Sequence, residues 1–286
     1  MKNLALITGI PRSGTTLVTK LLNEIPDVVA LNEPMEVKQL AGKSNDEIFS
    51  WIDARVEEYR SGLISDGKVM TKFVGQRFVD NSFDDSLNAR GLRPSQAVRG
   101  LIHVDKKLTE NFLLAMKHNG AFAAVLRQLA SRYTCFAIIR NPLSVLLSWQ
   151  TVDIPVNRGR LPVAEAIDGD LREHLNRISD RLVRQIHIIN WFFERFRKFV
   201  GVNQVLRYED LVKDAGESLA KIAPAARWIH QPLQSQNSSA RYSKELVPQI
   251  VERLQSAGGS YLHFYSMQEI EALGNSMVSY PEQDDI

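Results

Sequence analysis

The sequence predicts an α/β fold in which a central parallel sheet is layered between helices, and three observations carry that expectation. A short apolar run, "NLALIT", passes straight into a glycine-punctuated turn; strand and helix signals then alternate as far as residue 208; and an amphipathic pattern spans residues 171 to 196. Such alternation builds a parallel sheet, because each strand needs a crossover helix to return in the same direction. No repeat, low-complexity tract or glycine-serine linker divides the 286 residues, so a single domain over 1–286 is expected.

In chain order, residues 3–8 read as a buried first strand, since a continuous apolar run marks a strand covered on both faces. "GIPRSGTT" (9–16) follows, and Leu17, Leu21, Leu22 and Ile25 then share one helical face. Strand, tight loop and helix in this order make a phosphate-binding loop, whose backbone N–H groups and helix N-terminus form a concave anion site. The expected architecture is therefore a P-loop-type three-layer α/β/α fold. The loop keeps the GxxxxG spacing, yet Thr15 stands where its lysine is usual. Thr16 retains the hydroxyl, and the cation is Arg12, whose planar fork suits an oxyanion.

Further strands are expected at 28–33 ("VVALNE"), 101–104 ("LIHV"), 134–139 ("TCFAII") and 204–208 ("QVLRY"). Leu171, Leu175, Ile178, Leu182, Ile189, Phe193 and Phe196 predict one long helix packed on the sheet. Residues 41–100 and 151–170 are polar and weakly periodic, and read as insertions around the sheet's carboxyl edge, where α/β proteins bind ligands. In "FAIIRNPLSVLLSWQ" (136–150), Arg140 ends a strand, Pro142 suits a first helical turn, and Ser148 follows Arg140 by eight positions. Both are phosphate-binding types. Spacing alone leaves open an ordinary arginine at a strand–helix junction.

Composition narrows the partners. With 35 basic and 33 acidic residues interspersed, the net charge of +2 excludes a broad nucleic-acid or polybasic membrane surface, so any anion site is local. No stretch approaches the ~18 to 20 apolar residues that span a bilayer. The single Cys135 excludes an internal disulfide and a cysteine-cluster metal site, and fits a reducing compartment. "MKNLALITGI" begins like a signal peptide, but its apolar run is short and lacks a small-residue cleavage site; a cytoplasmic protein is expected.

Three segments together, "PRSGTT" (11–16), "RNPLSVLLS" (140–148) and "VLRYEDLVKD" (205–214), resemble the sulfotransferase family in the family's own order. Arg12 and Leu17 are closer to its bacterial, carbohydrate and tyrosylprotein branches than to the cytosolic aryl enzymes. The resemblance implies 3′-phosphoadenosine-5′-phosphosulfate (PAPS) as donor, adenosine 3′,5′-bisphosphate as product, and a hydroxyl of a small molecule, carbohydrate or lipid as acceptor. It implies that Arg12, Ser13, Gly14, Thr15 and Thr16 hold the 5′-phosphosulfate, that Arg140 and Ser148 hold the 3′-phosphate, and that Tyr208 lies near the nucleotide. A sulfuryl group carries one fewer negative charge than a terminal phosphoryl group, so no metal is required on charge grounds.

The resemblance also implies a glutamate base after the second strand. Glu33 fits, beside the loop strand if strand order is simple, with Glu36 in reserve; a cap before Pro34 is the other reading of Glu33. "LIHVDKKLTENF" (101–112) is similar to the family's "DKxP" segment; Leu108 in place of proline leaves Lys106 and Lys107 open as the catalytic lysine, with Lys106 favoured. His103 is a second candidate base or a core residue. "QSQNSSARYSKE" (234–245) stands where the C-terminal nucleotide loop belongs, with Arg241 or Lys244 over the 3′-phosphate. Two rivals stay open: a kinase-like phosphotransferase using ATP and magnesium on Asp105, and a nonenzymatic nucleotide-binding module.

Overall fold

A computed structural model describes residues 3–279; Met1 and Lys2 of the signal-like stretch, and residues 280–286, lie outside them. The strands are β1 (Leu4–Gly9), β2 (Val28–Asn32), β3 (Lys68–Phe73), β4 (Val98–His103), β5 (Leu113–Lys117), β6 (Cys135–Ile139) and β7 (Val205–Arg207). Five of them form a sheet in the order β2-β5-β1-β6-β7, with every pairing parallel. The helices are α1 (Thr15–Leu22), α2 (Asn45–Ser65), α3 (Gly120–Ala124), α4 (Leu126–Ala130), α5 (Pro142–Gln150), α6 (Pro162–Ile167), α7 (Gly169–Arg177), α8 (Arg181–Phe199), α9 (Tyr208–Lys213), α10 (Leu246–Ala257) and α11 (Met267–Ser279).

Successive strand residues point to opposite faces, and the core divides accordingly. Leu4 and Leu6 of β1, Val29 and Leu31 of β2, and Cys135, Ala137 and Ile139 of β6 join the larger cluster, under α2, α5, α8 and α10. Ala5, Ile7, Val28, Ala30, Phe136 and Ile138 face the other way, against α1 and the segment around Leu219. The strands are thus apolar up to their carboxyl ends, where Thr8, Asn32, Lys117 and Arg207 stand, because both faces are covered, as expected of the middle layer of three. Burial pushes the Cys135 thiol up to about 12 and leaves it inert.

The differences from expectation bear on the site. Residues 101–104 do not enter the parallel sheet: β4 pairs antiparallel with β3 in a separate hairpin, and Val98, Arg99, Leu101 and His103 are exposed. The missing strand is β5, "LLAMK", which pairs with both β1 and β2. Residues 41–100 are not all irregular. Ser44 and Glu47 form a capping box that starts α2, and Ile48, Ile52, Val56, Tyr59 and Leu63 line its buried stripe. The long helix is two: Ile178 is extended, and Asp180 caps α8 by accepting from Val183 N. No helix among the described residues is long and apolar enough to cross a membrane.

Candidate active site

The carboxyl ends of the parallel strands open into a cavity of about 740 Å³, and the loop after β1 forms its floor. Gly14 has φ +90°, and the Tyr208 ring lies 2.8 Å from where a Cβ would stand, so both conformation and contact require glycine. Arg12 takes φ +74° without that freedom, a conformation that costs a side-chain-bearing residue energy and is held by its surroundings. Ser13 N donates to Ile10 O (3.0 Å), Ser13 Oγ to Ile138 O (2.8 Å) and Trp149 Nε1 to Pro11 O (2.8 Å). Thr15 and Thr16 open α1 and line the cavity.

Arg12 joins Arg140 to the buried Ser148 at this side of the cavity. Arg12 Nε donates to Ser148 Oγ (3.1 Å) and Nη1 to Asn81 Oδ1 (3.2 Å), with its guanidinium 4.6 Å from the centre of the Phe83 ring. Arg140 is buried; its Nη1 donates to Arg12 O (3.0 Å), its Nε to Asn237 Oδ1 (2.7 Å), and its Nη2 to Gln236 O and Tyr242 OH. The Tyr208 ring lies 4.6 Å below the Arg140 guanidinium, and its hydroxyl accepts from Gln236 N (2.9 Å). Tyr208 therefore supports both the loop and the segment that covers Arg140. Burial lowers the Arg12 pKa to about 10, with Tyr242 opposing and Arg93, Arg140 and Arg241 adding to the effect; the group stays charged at neutral pH. Arg241 lines the same cavity, paired with the exposed Asp85 at 2.9 Å.

Glu33 lies across the cavity, but β2 is not beside the loop strand: β5 intervenes. The strand end between them carries Lys117, buried to 3 % exposure. Glu33 has φ +48°, and its N donates to Lys117 O (2.8 Å). Its Oε2 meets Lys72 Nζ at 2.6 Å and its Oε1 meets Lys117 Nζ at 3.3 Å. The β3–β4 hairpin delivers Lys72, anchored where Asn32 N donates to Thr71 Oγ1 (2.9 Å). Burial opposes ionisation of Glu33, yet Lys117 and Lys72 outweigh it and hold the carboxyl well below its usual range. Burial lowers the next residue, His118, to about 3, so it is neutral; its Nε2 accepts from Met35 N (3.2 Å).

Three expected site residues do not line the cavity: Ser13 and Ser148 are buried beneath it, and Lys106 lies away from it. Its Nζ donates to Ile25 O (2.9 Å) and Val28 O (2.7 Å), at the amino end of β2, so it ties down the α1–β2 turn. Lys107 and Asp105 are exposed beside it. His103 is exposed on the hairpin, and the exposed Glu36 pairs with Arg99 (3.2 Å). The cations facing Glu33 are instead Lys72 and Lys117, and Lys117 had a signal, a lysine ending a five-residue apolar run. Arg93, also at the cavity, had none within its polar tract.

The site thus combines an amide-lined loop, guanidinium groups on one side, a carboxylate between two ammonium groups on the other, and an apolar wall from Ile154, Pro155, Val156, Leu161 and Val163. It can hold an extended polyanion and present it to a group beside Glu33. The sulfotransferase family model matches residues 5–232. Among solved structures, the sulfotransferase domain from the Synechococcus PCC 7002 olefin synthase is similar at 15 % identity and a TM-score of 0.38, over 100 % of this chain and 91 % of that one. No curated protein matches.

Proposed function

Because the chain belongs to the sulfotransferase family, we propose that it moves a sulfuryl group from PAPS to an acceptor hydroxyl by in-line displacement, as a single cytoplasmic domain with no need for a metal. One observation carries this reading: Arg12, with the buried Ser148 bonded to it, and Arg140 line one side of the cavity whose other side carries Glu33. The residues fit the donor. A buried guanidinium N–H on Arg93, without a partner among the described residues, and a loop of backbone amides are matched by phosphate oxygens. Thr15, Thr16 and the start of α1 hold the 5′-phosphate, Arg140 and Ser148 hold the 3′-phosphate, and Tyr208 supports the nucleotide side.

Arg12 stabilises negative charge on the leaving oxygens, and Glu33 takes the acceptor's proton. A carboxylate held by two ammonium groups is a weak base. Its proton affinity rises when Lys72 or Lys117 turns to the sulfuryl oxygens, so the two lysines link donor binding to base strength. The apolar wall and the 74–97 segment receive the acceptor, a small alcohol, carbohydrate or lipid. The phosphotransferase alternative loses its metal-binding aspartate, since Asp105 lies exposed beside Lys106, whose ammonium reaches the amino end of the sheet.

Thermal unfolding with nucleotides tests the reading, because a ligand that binds the native state raises Tm by mass action. Adenosine 3′,5′-bisphosphate is expected to stabilise more than ADP or ATP with magnesium. Equal or reversed shifts would discard it, as would transfer activity abolished by EDTA and restored by magnesium.

A further inference from the structure

Arg93 lies in the irregular segment between β3 and β4, yet it is 4 % exposed. Its burial has a specific cause. Arg93 N donates to Thr151 O (3.1 Å) and its carbonyl accepts from Asp153 N (2.9 Å), so it bridges to Val152 directly after α5. Arg93 Nη2 donates to Thr151 Oγ1 (3.2 Å), and Thr151 Oγ1 donates to Ser148 O (2.9 Å). The guanidinium is thereby fixed one helical turn beyond Ser148, on the cavity.

Its charge is poorly matched there. Arg93 Nε is buried without a hydrogen-bond partner among the described residues, and the nearest carboxylate, Asp85, is 76 % exposed with its Oδ1 4.0 Å from Nη1. Burial and the charge of Arg241 both disfavour the charged form of Arg93, against Asp85 and Tyr242. Arg12 in turn feels Arg93, Arg140 and Arg241. An unmet buried N–H and several converging cations are costs that a dianionic ligand removes.

We propose that Arg93 is a third ligand of the donor's 3′-phosphate and, beside Arg140, a second cationic one, completing with Arg140 and Ser148 a phosphate-monoester subsite to which the 74–97 segment contributes directly. This rests on the donor reading above. The same chemistry has a second source, an anionic group on the acceptor, and the test separates the two.

Isothermal titration of adenosine 3′,5′-bisphosphate and of adenosine 5′-phosphate into wild type, Arg93→Gln and Arg93→Lys is the experiment. Arg93→Gln is expected to weaken the bisphosphate about tenfold and leave the monophosphate within about twofold, since charge-assisted bonds to the 3′-phosphate are what is lost. Arg93→Lys keeps the charge without the fork and falls between. Melting of each variant without ligand controls for folding, and the backbone bridge to residues 151–153 does not depend on the side chain. Equal losses for both nucleotides overturn the assignment, and so does no loss for either, which moves Arg93 to the acceptor. A wild type that does not distinguish the two nucleotides fails the donor reading itself, before any variant is compared.

Discussion

The two walls of the cavity are built differently. The donor wall grows out of the sheet: the loop, Arg140 and Ser148 are tied to β1, β6 and α5 by buried bonds such as Ser13 Oγ to Ile138 O (2.8 Å). The facing wall, residues 74–97, has paired backbone only at isolated points, including Val74 with Arg77 and Phe83 with Ser95. It is fastened to the donor wall by Asn81 to Arg12, Asp85 to Arg241 and Arg93 to Thr151. On the reading proposed above, the donor is recognised by a wall that the fold fixes. The facing wall is free to vary because few core contacts depend on it. Each link uses a charged side chain and one, Asp85 with Arg241, is an ion pair, so their coupling is open to measurement.

The largest effect expected is on chemistry. Glu33→Gln is expected to lower turnover by about 10² to 10⁴, the share of a general base, while nucleotide affinity survives because Glu33 lies across the cavity from Arg140 and Ser148. The clamp adds a pH signature. With its carboxyl held well below the ordinary range by Lys117 and Lys72 against burial, Glu33 of the free enzyme stays ionised as pH falls, and the acid limb of kcat/KM for the donor lies below that of an unperturbed carboxylate. Lys72→Gln removes one of the charges favouring the ionised form, so the pKa rises and the limb moves to higher pH. A Glu33→Gln enzyme within threefold of wild type would leave the acceptor wall without its base.

Both the success and the failure of the sequence reading follow from where the signals lie. The β1–loop–α1 and β6–α5 units are legible because strand, turn and helix are adjacent in sequence and the strands are buried on both faces. Lys106 is favoured by its likeness to the DKxP segment, while "LLAMK" gives no strand signal because its residues suit helices as well as strands, and "LIHV", with Ile and Val, takes the expected sheet position. The sheet chose otherwise: β5 fills the gap between β1 and β2, and the hairpin stays outside. The single helix expected over 171–196 ignored Asp180, a capping residue inside the pattern. Arg93 was invisible for a stronger reason, since it is buried by residues 151–153, distant in the chain.

A middle-sized effect concerns the strand end that joins the walls. His118 is neutral in the fold with its pKa lowered to about 3, chiefly by burial and further by Lys117, Lys72 and Arg99, against Glu33. The unfolded chain binds the proton near 6.5, so below that pH the unfolded state holds more protons and stability falls with pH. The contribution is complete above pH 6.5 and is lost as pH drops towards 3. Between pH 6.5 and 5 this amounts to about 2 kcal/mol, at ~1.4 kcal/mol per pH unit. Denaturant unfolding across that range is expected to slope accordingly in wild type and to flatten in His118→Gln, whose amide oxygen can still accept from Met35 N. Equal slopes would place His118 outside the acid sensitivity of the fold.

The smallest effect tests the charge link between the walls. Asp85 is 76 % exposed and pairs with Arg241 at 2.9 Å, with Arg93 4.0 Å away. An exposed pair adds little stability, so Asp85→Asn is expected to change it by no more than about 0.5 kcal/mol. Binding is a different matter. The carboxylate competes with a phosphate for the same guanidinium groups, and its removal leaves Arg241 and Arg93 without their nearby counter-charge. Affinity for adenosine 3′,5′-bisphosphate is therefore expected to rise, by no more than about threefold at low salt, because an exposed charge contributes well under the ~1.4 kcal/mol of a tenfold change. The gain is expected to vanish at high salt, where the Debye length falls to about 3 Å. A loss of affinity would mean that Asp85 holds the two arginines in place for the ligand, making the charge link between the walls a positioning device.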